Sequence, residues 1–123
     1  MRRMSTELDD FLGTNSSLTR TQIRRLELQI SLQNPGSVVP EGGPSAVTGV
    51  SSGAYYRVLG QAKNNINQAL YTILFCARIG AIQVEDLRRL LDLIAKAPSE
   101  LAETDSNQVM SLTDALVKKI VMI

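Results

Sequence analysis

Between Tyr55 and Cys76 the apolar residues recur four and three apart, at Tyr55, Leu59, Ala62, Ile66, Ala69, Ile73 and Cys76. That alternation is the spacing of a seam along one side of an α-helix, and no proline interrupts it. It predicts one long helix from about Ala54 to Ile79. Ser51 or Ser52 caps its start, Gly80 follows its last turn as the left-handed residue, and Arg78 opposes its negative end. Leu70, Leu74 and Ala77 widen the stripe, so the second half of this helix is expected at the centre of the core. A chain of 123 residues is long enough for one such core and too short for two independent ones. The expected architecture is therefore one all-α domain over residues 1–123, a compact bundle of about four to five helices around the long one.

The flanking segments supply the other helices. Leu8, Phe11 and Leu12 place a short helix over Ser5 to Leu12, ended by Gly13. Thr19 and Gln22 have the spacing of a capping box, with Leu18 and Ile23 placed to staple the first turn. The helix they open carries the stripe Ile23, Leu26 and Ile30, and Asn34-Pro35-Gly36 stops it. From Asn34 to Val50, Pro35, Pro40 and Pro44 stand with Gly36, Gly42, Gly43 and Gly49, which reads as a long loop, either a binding loop or a surface linker. A further helix over Val84 to Ala97 buries Leu87, Leu90, Leu91 and Ile94, pairs Glu85 with Arg89 and Asp92 with Lys96, and stops at Pro98. Asp105 and Gln108 form a second capping-box pattern ahead of the stripe Val109, Leu112, Leu116 and Ile120. The apolar end Val121-Met122-Ile123 is expected in the core or against another subunit, so a homo-oligomer, most simply a dimer, is expected.

Composition removes several function classes. The chain contains no histidine, so the usual general base, proton shuttle and transition-metal ligand are missing. Its single cysteine, Cys76, lies between Phe75 and Ala77 and reads as a small buried hydrophobe; neither a disulfide nor a cysteine metal cluster fits one thiol. No phosphate-binding glycine motif, zinc pattern or nucleophile elbow occurs. These features point to a non-enzymatic protein with no catalytic residues, no metal and no cofactor. The longest apolar run is cut by Arg78 well short of the ~20 residues that span a bilayer. Arg2 and Arg3 are followed by Glu7, Asp9 and Asp10 where a signal peptide has its apolar segment, so no membrane association and a cytoplasmic location are expected.

Formal net charge is only +1, yet no acidic residue lies between Glu41 and Glu85, where Arg57, Lys63 and Arg78 fall. Arg20, Arg24 and Arg25 lie just before that interval. Within it, Val50-Ser51-Ser52-Gly53-Ala54-Tyr55-Tyr56-Arg57-Val58-Leu59 opens the long helix with small hydroxyl residues, two tyrosines and an arginine. Gln61, Lys63, Asn64, Asn65, Asn67 and Gln68 follow, and amide and guanidinium groups of this kind pair with base edges. This stretch of about ten residues resembles the recognition helix of helix-turn-helix and winged-helix regulators. It departs from them in the long Asn34 to Val50 connection, where the family has a turn of ~3 to 4 residues.

Two readings follow. In the first, the chain is a small DNA- or RNA-binding protein, most simply a helix-turn-helix-like regulator of transcription. Arg20, Arg24, Arg25 and Lys63 then contact phosphates, while Ser51, Ser52, Tyr56, Arg57, Gln61 and Asn64 approach bases. In the second, it is a helical interaction or homo-oligomeric scaffold protein whose exposed apolar positions dock on itself or on a partner. The first is the leading expectation and the second its alternative; the sequence pI of about 7.9 weighs for the alternative, because strongly nucleic-acid-binding domains commonly exceed ~9.

Overall fold

The structure is a computed structural model that describes residues 7–37, 41–98 and 101–123. The expected helix start at Ser5 and the Pro40 part of the proline and glycine loop lie outside the described residues. The chain is all-α, and the described residues hold six helices: α1 (Glu7–Asn15), α2 (Arg20–Gln33), α3 (Gly43–Thr48), α4 (Ser52–Ile79), α5 (Val84–Lys96) and α6 (Glu103–Ile120). They fall into two compact units, Leu12–Asn67 and a second made of residues 7–11 with Gln68–Ile123.

In the Leu12–Asn67 unit, α2 opens on the expected capping box. The Gln22 backbone N–H donates to Thr19 Oγ1 at 3.2 Å, and the Thr19 backbone N–H donates to Gln22 Oε1 at 3.1 Å. Gly13 does not end α1, which runs on to Asn15. Its place is set by space instead, since a Cβ there would stand 2.9 Å from Ile23 Cδ1. The proline and glycine stretch is not wholly loop, because Gly43–Thr48 forms α3. Pro44 suits a first helical turn, where its missing N–H has no intrahelical partner to lose, and Gly42 and Gly49 enter and leave the helix in left-handed conformations. The buried centre is Tyr55, Leu59 and Ala62 on the first half of α4, whereas Ile30, expected on the α2 stripe, is exposed.

In the second unit, α5 and α6 pack on each other. Gly80 ends α4 as expected, at φ +80°. The Ala81 N–H donates to Cys76 O at 2.8 Å and the Gly80 N–H to Ala77 O at 3.4 Å, the two bonds of a Schellman motif. The chain end returns to this turn. Gln83 N–H donates to Ile120 O at 2.8 Å, Met122 N–H to Ala81 O at 2.9 Å, and Ile82 forms an isolated antiparallel bridge with Val121. Asp86 forms ion pairs with Arg89 on its own helix at 3.7 Å and with Lys119 at 3.5 Å, the second tying α5 to α6. Glu85 pairs with Arg88 at 3.1 Å, one residue short of the expected Arg89, while Asp92 and Lys96 pair as expected at 3.0 Å. The Asp105 capping box does not form, because α6 begins three residues earlier with Ala102 as its cap. Leu8, Leu90 and Ile120 are the buried apolar residues of this unit, and Leu91 and Leu112 are exposed.

The largest difference from expectation concerns α4. Its buried residues are all in the first half, and every residue from Ile66 to Phe75 is exposed. Periodicity identifies the helix and its apolar side correctly. Within the second unit α5 and α6 pack on one another, and Leu70 and Leu74 remain uncovered.

Candidate functional site

All ten residues expected to touch nucleic acid lie in the Leu12–Asn67 unit, on α2 and at the start of α4. The two helices are held antiparallel by polar contacts at both ends. Tyr55 donates its hydroxyl to Gln29 Oε1 at 3.0 Å. At the other end Asn65 donates to Ser17 O at 2.8 Å and to Gln22 Oε1 at 3.3 Å, and Ser17 Oγ donates to Asn65 Oδ1 at 2.6 Å. Gln22, Arg25 and Gln29 therefore form the side of α2 that faces α4, as their i, i+3 and i+7 spacing requires.

That geometry divides the arginines. Arg25 is half-buried with its guanidinium 5.9 Å from the Tyr55 ring centroid, a cation–π distance, and its Nε is buried without a hydrogen-bond partner. It serves the helix pair rather than an open surface. Arg20 and Arg24, one turn apart, lie on the opposite side of α2 and are exposed. On α4, Arg57, Gln61 and Asn64 share the side turned away from α2, while Tyr56 and Lys63 stand on a flank. All five are exposed. The expected set thus occupies two faces on opposite sides of the α2/α4 pair. Ser51 is committed to capping, its hydroxyl accepting the Ala54 N–H at 3.2 Å, and Ser52 is exposed in the first turn.

Tyr55 has no solvent exposure, and Tyr56 meets it edge-on with centroids 5.1 Å apart. Burial raises the Tyr55 pKa above the ordinary tyrosine value, the neighbouring Tyr56 adds to the rise, and Arg25 opposes it. The phenol is a structural hydrogen-bond donor here.

A second surface was legible only in part. On the exposed stretch of α4, Leu70, Tyr71, Leu74 and Phe75 follow the i, i+1, i+4, i+5 spacing of one helix side and are 55%, 74%, 63% and 64% exposed. The helix bears no charge from Asn64 to Ala77. Leu70 and Leu74 are in the sequence stripe, but Tyr71 and Phe75 lie outside it because the four-and-three pattern marks the opposite side of the helix. Continuous apolar character around the helix was the available signal. The chain end is uncovered too, with Val121, Met122 and Ile123 all exposed.

Among the described residues, no group of three histidine, cysteine or carboxylate side chains is placed to hold a metal ion, and no helix is long and apolar enough to cross a membrane. No protein-family model, curated protein or solved structure matches the chain.

Proposed function

We propose that the chain is a non-enzymatic helical interaction protein that docks a protein partner through the uncovered side of α4. One observation carries this reading. Four large apolar side chains, Leu70, Tyr71, Leu74 and Phe75, share one side of an uncharged helical segment with more than half of each exposed. Exposed apolar residues scattered singly are ordinary on a protein surface, but a contiguous patch of this kind marks an interaction site. The missing histidine weighs in the same direction, since it leaves acid–base chemistry without its usual carrier.

Binding of an apolar fluorescent dye, compared between the natural chain and Leu74→Asp/Phe75→Asp, tests whether this side is available for docking. Under the reading, any free patch binds dye and the double substitution abolishes that binding, or else the natural chain is already assembled and the substitution dissociates it. An unassembled natural chain that binds no dye would refute it.

A second reading rests on a separate observation. Arg57, Gln61 and Asn64 share one exposed side of α4 within a stretch free of acidic residues, a surface suited to phosphate and base-edge contacts. It predicts salt-sensitive binding to DNA or RNA that Arg57→Glu abolishes and that is read by fluorescence anisotropy. Arg20 and Arg24, on the far side of α2, would contribute little to the same contact. Absence of binding at low salt eliminates it.

A further inference from the structure

We infer that the partner covering this side of α4 is a second copy of the same chain, packed antiparallel across a two-fold axis that meets the patch at the height of Thr72 and Ile73 along the helix. The inference rests on the docking reading above and adds the identity and orientation of the occupant. Three observations carry it.

The first is area. Leu70, Tyr71, Leu74 and Phe75 at their observed exposures present roughly 600 Å² per protomer. A standard protein–protein interface takes about 800 Å² from each partner. Exposed Arg78 and Ile79, one turn beyond Phe75, extend the exposed surface towards that size. One helix side thus supplies most of the area of a standard interface.

The second is self-complementarity. A two-fold axis between Thr72 and Ile73 sets Leu70 of one protomer against Phe75 of its partner and Tyr71 against Leu74, each contact made twice. Both pairings match an aromatic ring with a branched aliphatic side chain, so neither two rings nor two leucines need share one space.

The third is charge. Arg78 is an exposed cation on a helix that has no acidic residue to accept it. Parallel packing would bring the two Arg78 side chains together and align the helix dipoles. The antiparallel register places Arg78 opposite the neutral Asn67 of the partner and opposes the dipoles. An unrelated partner recognising this segment would be expected to meet Arg78 with a carboxylate, whereas a second copy needs none.

The experiment uses the full chain. Sedimentation equilibrium of the natural protein and of Leu74→Asp/Phe75→Asp should give a dimer, twice 13.4 kDa, and a monomer respectively. Far-UV circular dichroism should show the helix retained in both, because neither side chain is buried in the protomer. Nitroxides at Gln61→Cys in a Cys76→Ser background should lie about 35 Å apart or more across the antiparallel dimer, against roughly 10–20 Å for a parallel one. A natural chain that stays monomeric at about 100 μM yet binds apolar dye at the patch overturns the second-copy inference and leaves docking to another protein standing. A dimer that survives the double substitution overturns both, because assembly then runs through another surface. A short nitroxide distance overturns the antiparallel arrangement.

Discussion

Tyr55 offers the most direct test of how the Leu12–Asn67 unit is held together, because its two contributions are separable by substitution. The side chain is fully buried, its ring carries the Arg25 guanidinium on one face, and its hydroxyl donates to Gln29. Tyr55→Ala removes the ring and leaves a cavity beside Leu59 and Ala62, a loss of about 3–5 kcal/mol for an aromatic core residue. Tyr55→Phe keeps the ring and removes only the hydrogen bond. Gln29 is half-exposed and its amide also bonds Gln33, so water replaces the lost donor and the expected cost is about 0.5–1.5 kcal/mol. Arg25→Met then reports the cation–π contact, and in a double-mutant cycle with Tyr55→Leu the coupling should be about 0.5–1 kcal/mol. Urea unfolding followed by circular dichroism, at one fixed protein concentration so that any assembly contributes equally, gives all of these. A Tyr55→Phe variant as unstable as Tyr55→Ala would show that the hydroxyl, not the buried ring, anchors the pair. A Tyr55→Ala cost below about 1 kcal/mol would remove Tyr55 from the core.

Four further outcomes follow from the same geometry. Because the Tyr55 pKa is raised on folding, its contribution is fully present below about pH 10, the unfolded value, and is lost as pH rises through the folded value; melting temperature should fall over that range more in the natural chain than in Tyr55→Phe. Thr19→Ala removes the hydroxyl that accepts the Gln22 N–H while keeping the backbone N–H that donates to Gln22 Oε1, and should cost about 1 kcal/mol in chemical denaturation. Gly80→Ala should cost about 1 kcal/mol or slightly more through backbone conformation alone, since a Cβ there meets nothing within 4 Å, and Gly80→Asn should recover part of the loss. Leu90→Ala should cost about 2–4 kcal/mol and Leu91→Ala less than about 1, measured side by side, because only the first is buried.

Local signals in the sequence were read where the physics is local. The Thr19 and Gln22 capping box, the stop at Asn34-Pro35, the left-handed Gly80 and the Asp92–Lys96 pair all depend on residues within one turn of each other, and all are present. Failures occurred where two local signals compete or where distance matters. Asp105 and Gln108 have capping-box spacing, but Glu103 and Thr104 continue the helix upstream and make Asp105 an interior residue of its first turn. Gly13 has the composition of a stop, yet its small size serves the approach of Ile23, a contact between helices that no window of sequence displays. The candidate site was legible residue by residue and not as a surface. That Arg25 faces Tyr55 while Arg20 and Arg24 face away depends on the rotation of α2 about its axis, which Tyr55–Gln29 and Asn65–Gln22 fix from outside the α2 sequence.

The second half of α4 shows why a periodic apolar pattern identifies burial without identifying what does the burying. A helix bearing Leu70, Tyr71, Ile73, Leu74 and Phe75 within six residues gains by leaving water whether the covering surface is on its own chain or another. The sequence is the same in both cases. In this chain the two helices that follow, α5 and α6, pack on each other, and neither unit buries those five side chains. Their combined hydrophobic transfer free energy, on the order of 1.5–3 kcal/mol for each side chain fully buried, is then left over from folding and available to association. Translational and rotational losses of about 4–15 kcal/mol oppose that association. Any pair meets a single such loss; a second copy already carries the matching apolar surface, whereas a foreign partner has to supply one of its own. The uncovered side of α4 is thus the point where folding and assembly meet, and its substitution should separate them: helix content unchanged, association lost.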